Sequence, residues 1–235
     1  MHPAAIALVL QLTHGERFSE LISSSDRVSW VLPKVKLDQQ RANGIVIDED
    51  LVTVADVSAV VTSIDGGVAT LDSHANVTTL DVPRRQRTTR SVSDTATVDA
   101  RNTPQRPRLS PEEAGTADLP LNAVSKGSTW TTRESVLTTL GSGTLVIKHT
   151  VTSTAGGRVT VLIQGSGKIV GLEYDLPHLL PGAMQLSGTA IFDAGDGAFV
   201  SEHYAMHNSL LKPDGTEHIG FDEHEVVSVT TSVSR

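Results

Sequence analysis

The sequence has no cysteine, few aromatic residues and no long apolar run. The absence of cysteine excludes disulfide bonds, thiol catalysis and cysteine-ligated zinc. Aromatic residues are 3% of the chain, so there are few rings for the stacking surfaces that bind carbohydrate or single-stranded nucleic acid. The formal net charge of -8 also disfavours nucleic acid, because partner and protein would repel each other. No run reaches the roughly 18 apolar residues of a transmembrane helix, so we expect no transmembrane segment.

The first twelve residues, MHPAAIALVLQL, are apolar but lack the basic start and the cleavage site of a signal peptide. They predict a first β-strand, and a truncated signal remnant is the alternative. These residues therefore do not identify the cellular compartment of the protein. Missing cysteine does not decide it, because many exported bacterial proteins also lack cysteine.

Alternation of apolar and polar residues, which is typical of strands, runs through nearly the whole chain. The runs TLVIKHTVTS and RVTVLIQ alternate in this way, and the intervening AGG predicts a hairpin turn. Long strands in sequential order with few helices predict an all-β fold, a long antiparallel meander that forms a strongly curved sheet or an open or half barrel. The best continuous apolar face consists of Leu145, Ile147, Val151, Val159, Val161 and Ile163, with His149 as a core or rim histidine.

The stretch VTSIDGG at 61–67 returns as VTSTAGG at 151–157. Each half also begins with a glycine followed three residues later by an aromatic residue, in GERF and GSTW. These echoes favour a two-fold internal repeat, although common strand residues and a favoured turn could also produce them independently. Residues 101–120 contain four prolines and predict a linker or long excursion between a first β-unit, 1–100, and a second, 121–235. A single sheet shared by the two units is compatible with this division.

The segment LPLNAVSKGSTW at 119–130 has the pattern LP-x-x-x-V-x-x-G-x-x-W, and a long hairpin and LSGTAIFDAGDGAFVS follow it. This arrangement resembles uncharacterised bacterial cell-envelope families of secreted or lipoprotein-like β-rich proteins. The resemblance covers the second half of the chain and implies export and a β-scaffold comparable to half-barrel lipoprotein carriers. It implies no catalytic residue. It therefore places the protein in the periplasm or outside the cell, with the cytoplasm as the alternative.

The segment 203–225 is rich in groups that can bind a metal ion. On a strand, His203 and His207 share a face, and a three-residue turn would bring Glu223 and Glu225 opposite that strand. Imidazoles and carboxylates together can bind zinc or another divalent ion. The alternative is an exposed hairpin whose polar side chains prevent pairing with other chains.

No nucleophile elbow, metalloprotease motif or phosphate loop is present, so we expect no enzymatic activity and no cofactor. The preferred function is binding of an apolar ligand or lipid by a curved sheet in the cell envelope. The alternatives are a structural module that contacts another envelope protein, and a metal-dependent enzyme based on the 203–225 hairpin. For ligand contact the candidates are Trp130, Leu145, Ile147, Val151, Val159, Val161 and Ile163, although an ordinary closed core would use the same side chains.

Overall fold

The computed structural model describes residues 5–46, 48–102, 119–138, 141–172, 179–213 and 218–234. Within these ranges, the first half contains β1 (Arg17–Val31), helix α1 (Lys34–Ala42), β2 (Asp48–Asp65), β3 (Val68–Asp81) and β4 (Gln86–Asp99). The second half contains β5 (Thr129–Thr138), β6 (Gly141–Ala155), β7 (Arg158–Leu172), β8 (Leu179–Asp193), β9 (Ala198–Pro213) and β10 (His218–Ser234).

All of these strands lie in one sheet, in the order β4-β3-β2-β1-β10-β9-β8-β7-β6-β5. Every neighbouring pair is antiparallel. Each half is a meander, and the pairing of β1 with β10 joins the two halves. Strands β4 and β5 are the edges, so the described part of the chain forms an open sheet. The predicted all-β antiparallel meander is confirmed, and the strands of both predicted units belong to the same sheet.

The sheet is curved, and its concave face carries the core. Ala96 and Val98 of β4 line the same pocket as Ala198 and Phe199 of β9. Five inter-strand intervals separate β4 from β9, and at about 4.8 Å each these would amount to roughly 24 Å in a flat sheet. The sheet must therefore curl to bring the two strands to one pocket.

Glycines on the concave face permit close approach of neighbouring strands in the second half. A Cβ at Gly167 would lie 2.1 Å from the carbonyl oxygen of Thr144, and one at Gly188 would lie 2.4 Å from the carbonyl oxygen of His203. Any side chain at either position would collide with backbone atoms. Glycine inside a strand marks such a bend or close contact, so both glycines have a structural role.

The stretches 61–67 and 151–157 form the same local structure, a bulged hairpin. In both, the two turn glycines have positive φ, as a type I′ turn requires. In both, the register shifts at the central threonine of the VTS sequence. The hydroxyls of Thr62 and Thr152 donate hydrogen bonds across their hairpins, at 3.3 Å and 3.2 Å. The sequence echo therefore corresponds to a matching bulge.

The glycine-to-aromatic segments match as well. Gly15 and Gly127 have φ values of 83° and 90°. Their N–H groups donate to the carbonyl oxygens of Val61 and Val151, at 2.9 Å and 2.8 Å. In each half, a glycine turn thus anchors the start of the first strand to the bulged hairpin. Helix α1 lies between β1 and β2, so the chain from the glycine turn to the bulged hairpin is longer in the first half than in the second.

The prediction of a first strand near the N-terminus is wrong. Residues 5–12 belong to no named strand and form only an isolated bridge, between Ile6 and Val124. Their backbone groups bond to several separate elements: the N–H of Leu10 donates to Ala100 at 2.9 Å, and that of Gln11 donates to Gly197 at 3.0 Å. This N-terminal segment follows the concave face as a cover, and its Ile6 and Leu10 pack partly buried against the core. Leu8 is 1% exposed.

Helix α1 was not predicted. It begins after Pro33, whose φ of -54° suits the start of a helix, and none of its residues is buried. Its few apolar residues, such as Val35 and Leu37, do not form a continuous apolar stripe from which a helix could be predicted. The described residues contain no helix that is long and apolar enough to cross a membrane.

The predicted linker at 101–120 lies largely outside the described residues, but its two ends meet. The N–H of Leu119 donates to the carbonyl oxygen of Arg101 at 2.8 Å, and the Arg101 guanidinium donates to the carbonyl oxygen of Leu119 at 3.0 Å. From there, the LP-led segment crosses the concave face beside the N-terminal segment. Leu119 and Val124 are buried in the core, so these positions of the sequence signature are structural.

The main core fills the concave face of β5–β10. Side chains from these strands and from the two covering segments form a single cluster. Its fully buried members include Leu145, Ile147 and Phe192, each 0% exposed. The alternating apolar pattern of the second half therefore corresponds to a closed, packed core.

Candidate functional site

An apolar pocket, here called the concave pocket, lies on the same face of the sheet in the first half. It has a volume of about 480 Å³. Leu10 and Leu12 of the N-terminal segment form one wall. The opposite wall is the sheet, with Phe18, Ile22, Val57, Leu71, Val98 and Val229. Most of these side chains remain partly exposed, unlike the corresponding face of the second half.

The register explains why these side chains converge. Phe18 pairs with Ala59 and Glu20 pairs with Val57 across β1 and β2. Because strand residues two apart point to the same face, Phe18, Glu20 and Ile22 all face the concave side. The bulge in β2 leaves Val61 fully buried at the end of this surface. Strand alternation, a bulge and the covering segment together produce the pocket.

Two carboxyl groups lie among the apolar residues of the concave pocket, those of Glu20 and Glu202. Burial raises the pKa of the Glu20 carboxyl, and the Thr231 hydroxyl, which donates to it at 3.5 Å, only partly offsets this rise. Glu202 is 4% exposed. The pocket therefore combines an apolar surface with acceptors that could orient a polar group of a ligand.

A larger depression of about 770 Å³ lies mostly against the convex face of the first half. Two pairs of its polar side chains bond to each other. The ring of His74 lies 3.1 Å from the Ser93 hydroxyl, and the Thr95 hydroxyl donates to Asp72 at 2.8 Å. It is more open and more polar than the concave pocket, so size alone does not make it the better site for an apolar ligand.

The residues predicted to contact a ligand lie in the closed core of the second half. They are 0–4% exposed and belong to the main buried cluster, except Trp130, which is partly buried against it. None of them is among the residues that line the concave pocket. The predicted residues do come together, but as packing partners in the core. They are Leu145, Ile147, Val151, Val159, Val161 and Ile163, with Trp130 packed against them. Their role in ligand contact stays a prediction.

His149 is a core histidine. Its ring stacks on Trp130 with centroids 4.8 Å apart, and its Nε2 lies 3.1 Å from the Thr132 hydroxyl. Burial lowers the pKa of His149 to about 4, so the ring is neutral at pH 7. It is 2% exposed. The stacking places Trp130 and His149 opposite each other at one end of the core.

The four residues predicted as a metal site are not brought together. His203 pairs with Ser228, whereas Glu225 pairs with Met206 and Glu223 with Asn208. A three-residue turn would have placed His203 opposite Glu225, so the observed register differs from the expected one by an odd number of residues. An odd shift exchanges the two faces of a strand. His203 and His207 consequently lie on the convex face, and both glutamates lie on the concave face.

The two glutamates instead form part of a buried polar patch on the concave face. Asn208 donates a hydrogen bond to the Glu223 carboxyl at 2.7 Å, and both side chains are buried. Burial raises the pKa of Glu223 even though this hydrogen bond acts in the opposite direction. Glu225 is 7% exposed. Neither carboxyl can reach the imidazoles on the other side of the sheet.

Sequence reasoning missed the concave pocket. Val57 and Leu71 follow the same alternation as the candidate residues of the second half, so periodicity shows which way they face. What decides between core and pocket is the position of the covering segments, and no local pattern encodes it. No protein-family model matches the chain, and no curated protein matches it. The resemblance to cell-envelope families stays a prediction.

Proposed function

We propose that the protein is a non-enzymatic binding protein whose curved sheet holds an apolar ligand, such as a lipid, in the concave pocket. The observation that carries this proposal is the group of partly exposed apolar side chains that face one space of about 480 Å³. Pockets for small ligands commonly measure roughly 300–1,000 Å³ and are mostly apolar with a few polar groups. The concave pocket fits both criteria.

The binding energy would come mainly from burial of apolar surface. Each square ångström removed from water contributes about 25 cal/mol, so an elongated apolar ligand gains affinity with its length. Phe18 and Phe199 offer aromatic surface on two sides of the pocket. The Glu20 carboxyl and the Thr231 hydroxyl lie 3.5 Å apart in the pocket. The carboxyl could accept a hydrogen bond from a hydroxyl, amide or amine group of the ligand, and the hydroxyl could donate or accept one. An amphiphile with an uncharged or basic polar group therefore fits better than one with an acidic group.

The first test is native mass spectrometry of protein purified gently from its own host. We expect an extra mass of several hundred daltons that is lost in organic solvent. Binding of the neutral fluorescent probe N-phenyl-1-naphthylamine to the emptied protein then measures affinity for the pocket. A bare mass together with no probe binding would rule out the ligand proposal and favour the interaction-module alternative.

Two adjacent substitutions give a matched comparison for this test. Val57 faces the pocket and Ser58 faces the convex side. We expect Val57→Gln to weaken probe binding by about tenfold, because a polar amide replaces apolar lining. Ser58→Gln introduces the same group on the other face and should leave the affinity unchanged. Equal losses in both variants would show that the probe binds elsewhere.

We further propose that the two halves derive from one four-stranded unit, β1–β4 and β5–β8. The matching bulged hairpins and the anchoring glycines Gly15 and Gly127 support this proposal. Location in the cell envelope remains part of the proposal and rests on the resemblance of the LP-led segment. The proposed ligand role does not depend on it.

A further inference from the structure

Three side chains with metal-binding atoms meet on the convex face of the second half, those of His207, Asp222 and His224. One donor atom from each lies within 4.8 Å of the others. The Asp222 carboxylate stands between the rings: one oxygen is 2.6 Å from Nε2 of His207, and the other is 3.1 Å from Nε2 of His224. The two rings are stacked, with centroids 4.2 Å apart and planes 6° apart.

The strand register brings these groups together. His207 and His224 are direct partners across β9 and β10. Asp222 precedes His224 by two residues and so lies on the same face of β10. Residues opposite each other on antiparallel strands have Cβ atoms about 4.5–5.5 Å apart, a span that one ion can bridge. Residues four apart on a single strand, such as His203 and His207, are separated by about 13 Å and cannot do so.

We propose that His207, Asp222 and His224 form a binding site for a divalent transition-metal ion of the zinc class. Two imidazole nitrogens and one carboxylate oxygen are the donor types that such ions prefer, whereas magnesium and calcium prefer oxygen alone. The ion would take the place of the hydrogen-bonded protons between the carboxylate and the rings. The site is separate from the concave pocket, which lies on the other face of the sheet.

The surrounding charges allow a cation here. Arg27 is the cross-strand partner of His224, and its positive charge would oppose the ion. Its guanidinium, however, is paired with Asp50 at 3.0 Å, which partly neutralises it. The Asp222 side chain, which contacts both rings, contributes an acidic group to the site.

A depression of about 360 Å³ adjoins the two histidines. It includes Gln164, Gln185 and Ser187 from the neighbouring strands. With three protein donors, a tetrahedral ion keeps one further position. A water molecule or an anionic group could occupy that position.

The test is isothermal titration calorimetry of tag-free protein with zinc chloride alone, followed by nickel chloride alone. We expect one ion per chain. His207→Gln, His224→Gln and Asp222→Asn should each weaken binding by about tenfold or more, since each removes a direct ligand. His203→Gln is the matched control, because His203 is an exposed histidine on the same face of β9 whose ring lies 2.8 Å from the Ser228 hydroxyl. This variant should bind zinc as the unaltered protein does.

A second measurement keeps the proposal testable if a variant fails to fold. In long-range proton–nitrogen spectra of the unaltered protein, one equivalent of zinc should shift the imidazole signals of His207 and His224 together and leave those of His74 and His203 in place. No heat of binding up to millimolar zinc would overturn the proposal. Equal weakening by His203→Gln and His207→Gln, or zinc-induced shifts in other histidines at the same concentration, would also overturn it.

Discussion

The two halves of the sheet present the same kind of alternating concave face, but one face is packed and the other is left as a pocket. In the second half, the N-terminal segment and the LP-led segment cover the sheet, and side chains such as Ile147 and Phe192 are fully buried. In the first half, Phe18 and Val57 remain partly exposed around the concave pocket. Strand pattern therefore determines which way a side chain faces, and the covering segments determine whether it becomes core or pocket lining.

The largest expected effect is a difference in stability between two phenylalanine truncations, one in each half. Phe192→Ala should lower the free energy of unfolding by about 3–5 kcal/mol, because it leaves a cavity in packed core. Phe18→Ala should cost only about 1–2 kcal/mol, because its side chain already borders open space. Urea unfolding monitored by circular dichroism measures both. Equal losses would mean that the first half is as tightly packed as the second and would contradict the comparison.

The second prediction concerns pH and uses His149 of the packed half. Its folded pKa of about 4 lies below the value of about 6.5 in an unfolded chain, so protonation favours unfolding. The contribution of His149 is constant above pH 6.5, and the free energy of unfolding should fall as the pH drops from 6.5 towards 4. The loss approaches about 3 kcal/mol.

The control for this effect is His149→Gln, which can keep a hydrogen bond to Thr132 but does not titrate. The difference in unfolding free energy between the two proteins, measured by urea titration at several pH values, isolates His149 from other groups. This difference should shrink between pH 6.5 and pH 4. A difference that stays constant over that range would contradict a buried neutral imidazole.

The smallest expected effect lies in the pocket half, at Glu20. Burial raises its folded pKa above the unfolded value, so its stabilising contribution is present at low pH and is lost as the pH rises through the folded pKa. Glu20→Gln removes this loss. We expect the variant to be more stable at pH 7, by less than about 1 kcal/mol, and to show no such gain at pH 4. A variant that is less stable at pH 7 would show that the carboxylate is needed in the folded protein.

Much of the fold follows from local sequence patterns. Alternation identified the hairpin of β6 and β7 and assigned Leu145, Ile147 and Val151 to the buried face, as observed. The AGG sequence identified the turn between β6 and β7, whose two glycines have positive φ. These features depend on residues near one another in the chain, where backbone sterics and strand geometry act directly.

The remaining features depend on long-range pairing. The sequence pattern placed His203 opposite Glu225, whereas the observed partner of His203 is Ser228, because alternation alone does not set which residues of two strands oppose each other. His224 and Asp222 thus replaced Glu223 and Glu225 as neighbours of His207. In the same way, nothing local shows that the N-terminal segment bonds to Val124 and Gly197 instead of joining the sheet.

The pairing of β1 with β10 also has a consequence for the order of folding. Thr231 and Glu20 bond across this boundary although they are 211 positions apart in the chain. Contacts at such separation form slowly, because the chain must lose much of its freedom before they are made. Each meander can assemble from local hairpins, whereas β1 keeps an unpaired edge until β10 has been synthesised. We therefore expect the newly synthesised first half, before β10 is made, to be the species most prone to aggregation. The pairing of β1 with β10 should be the slow step of folding.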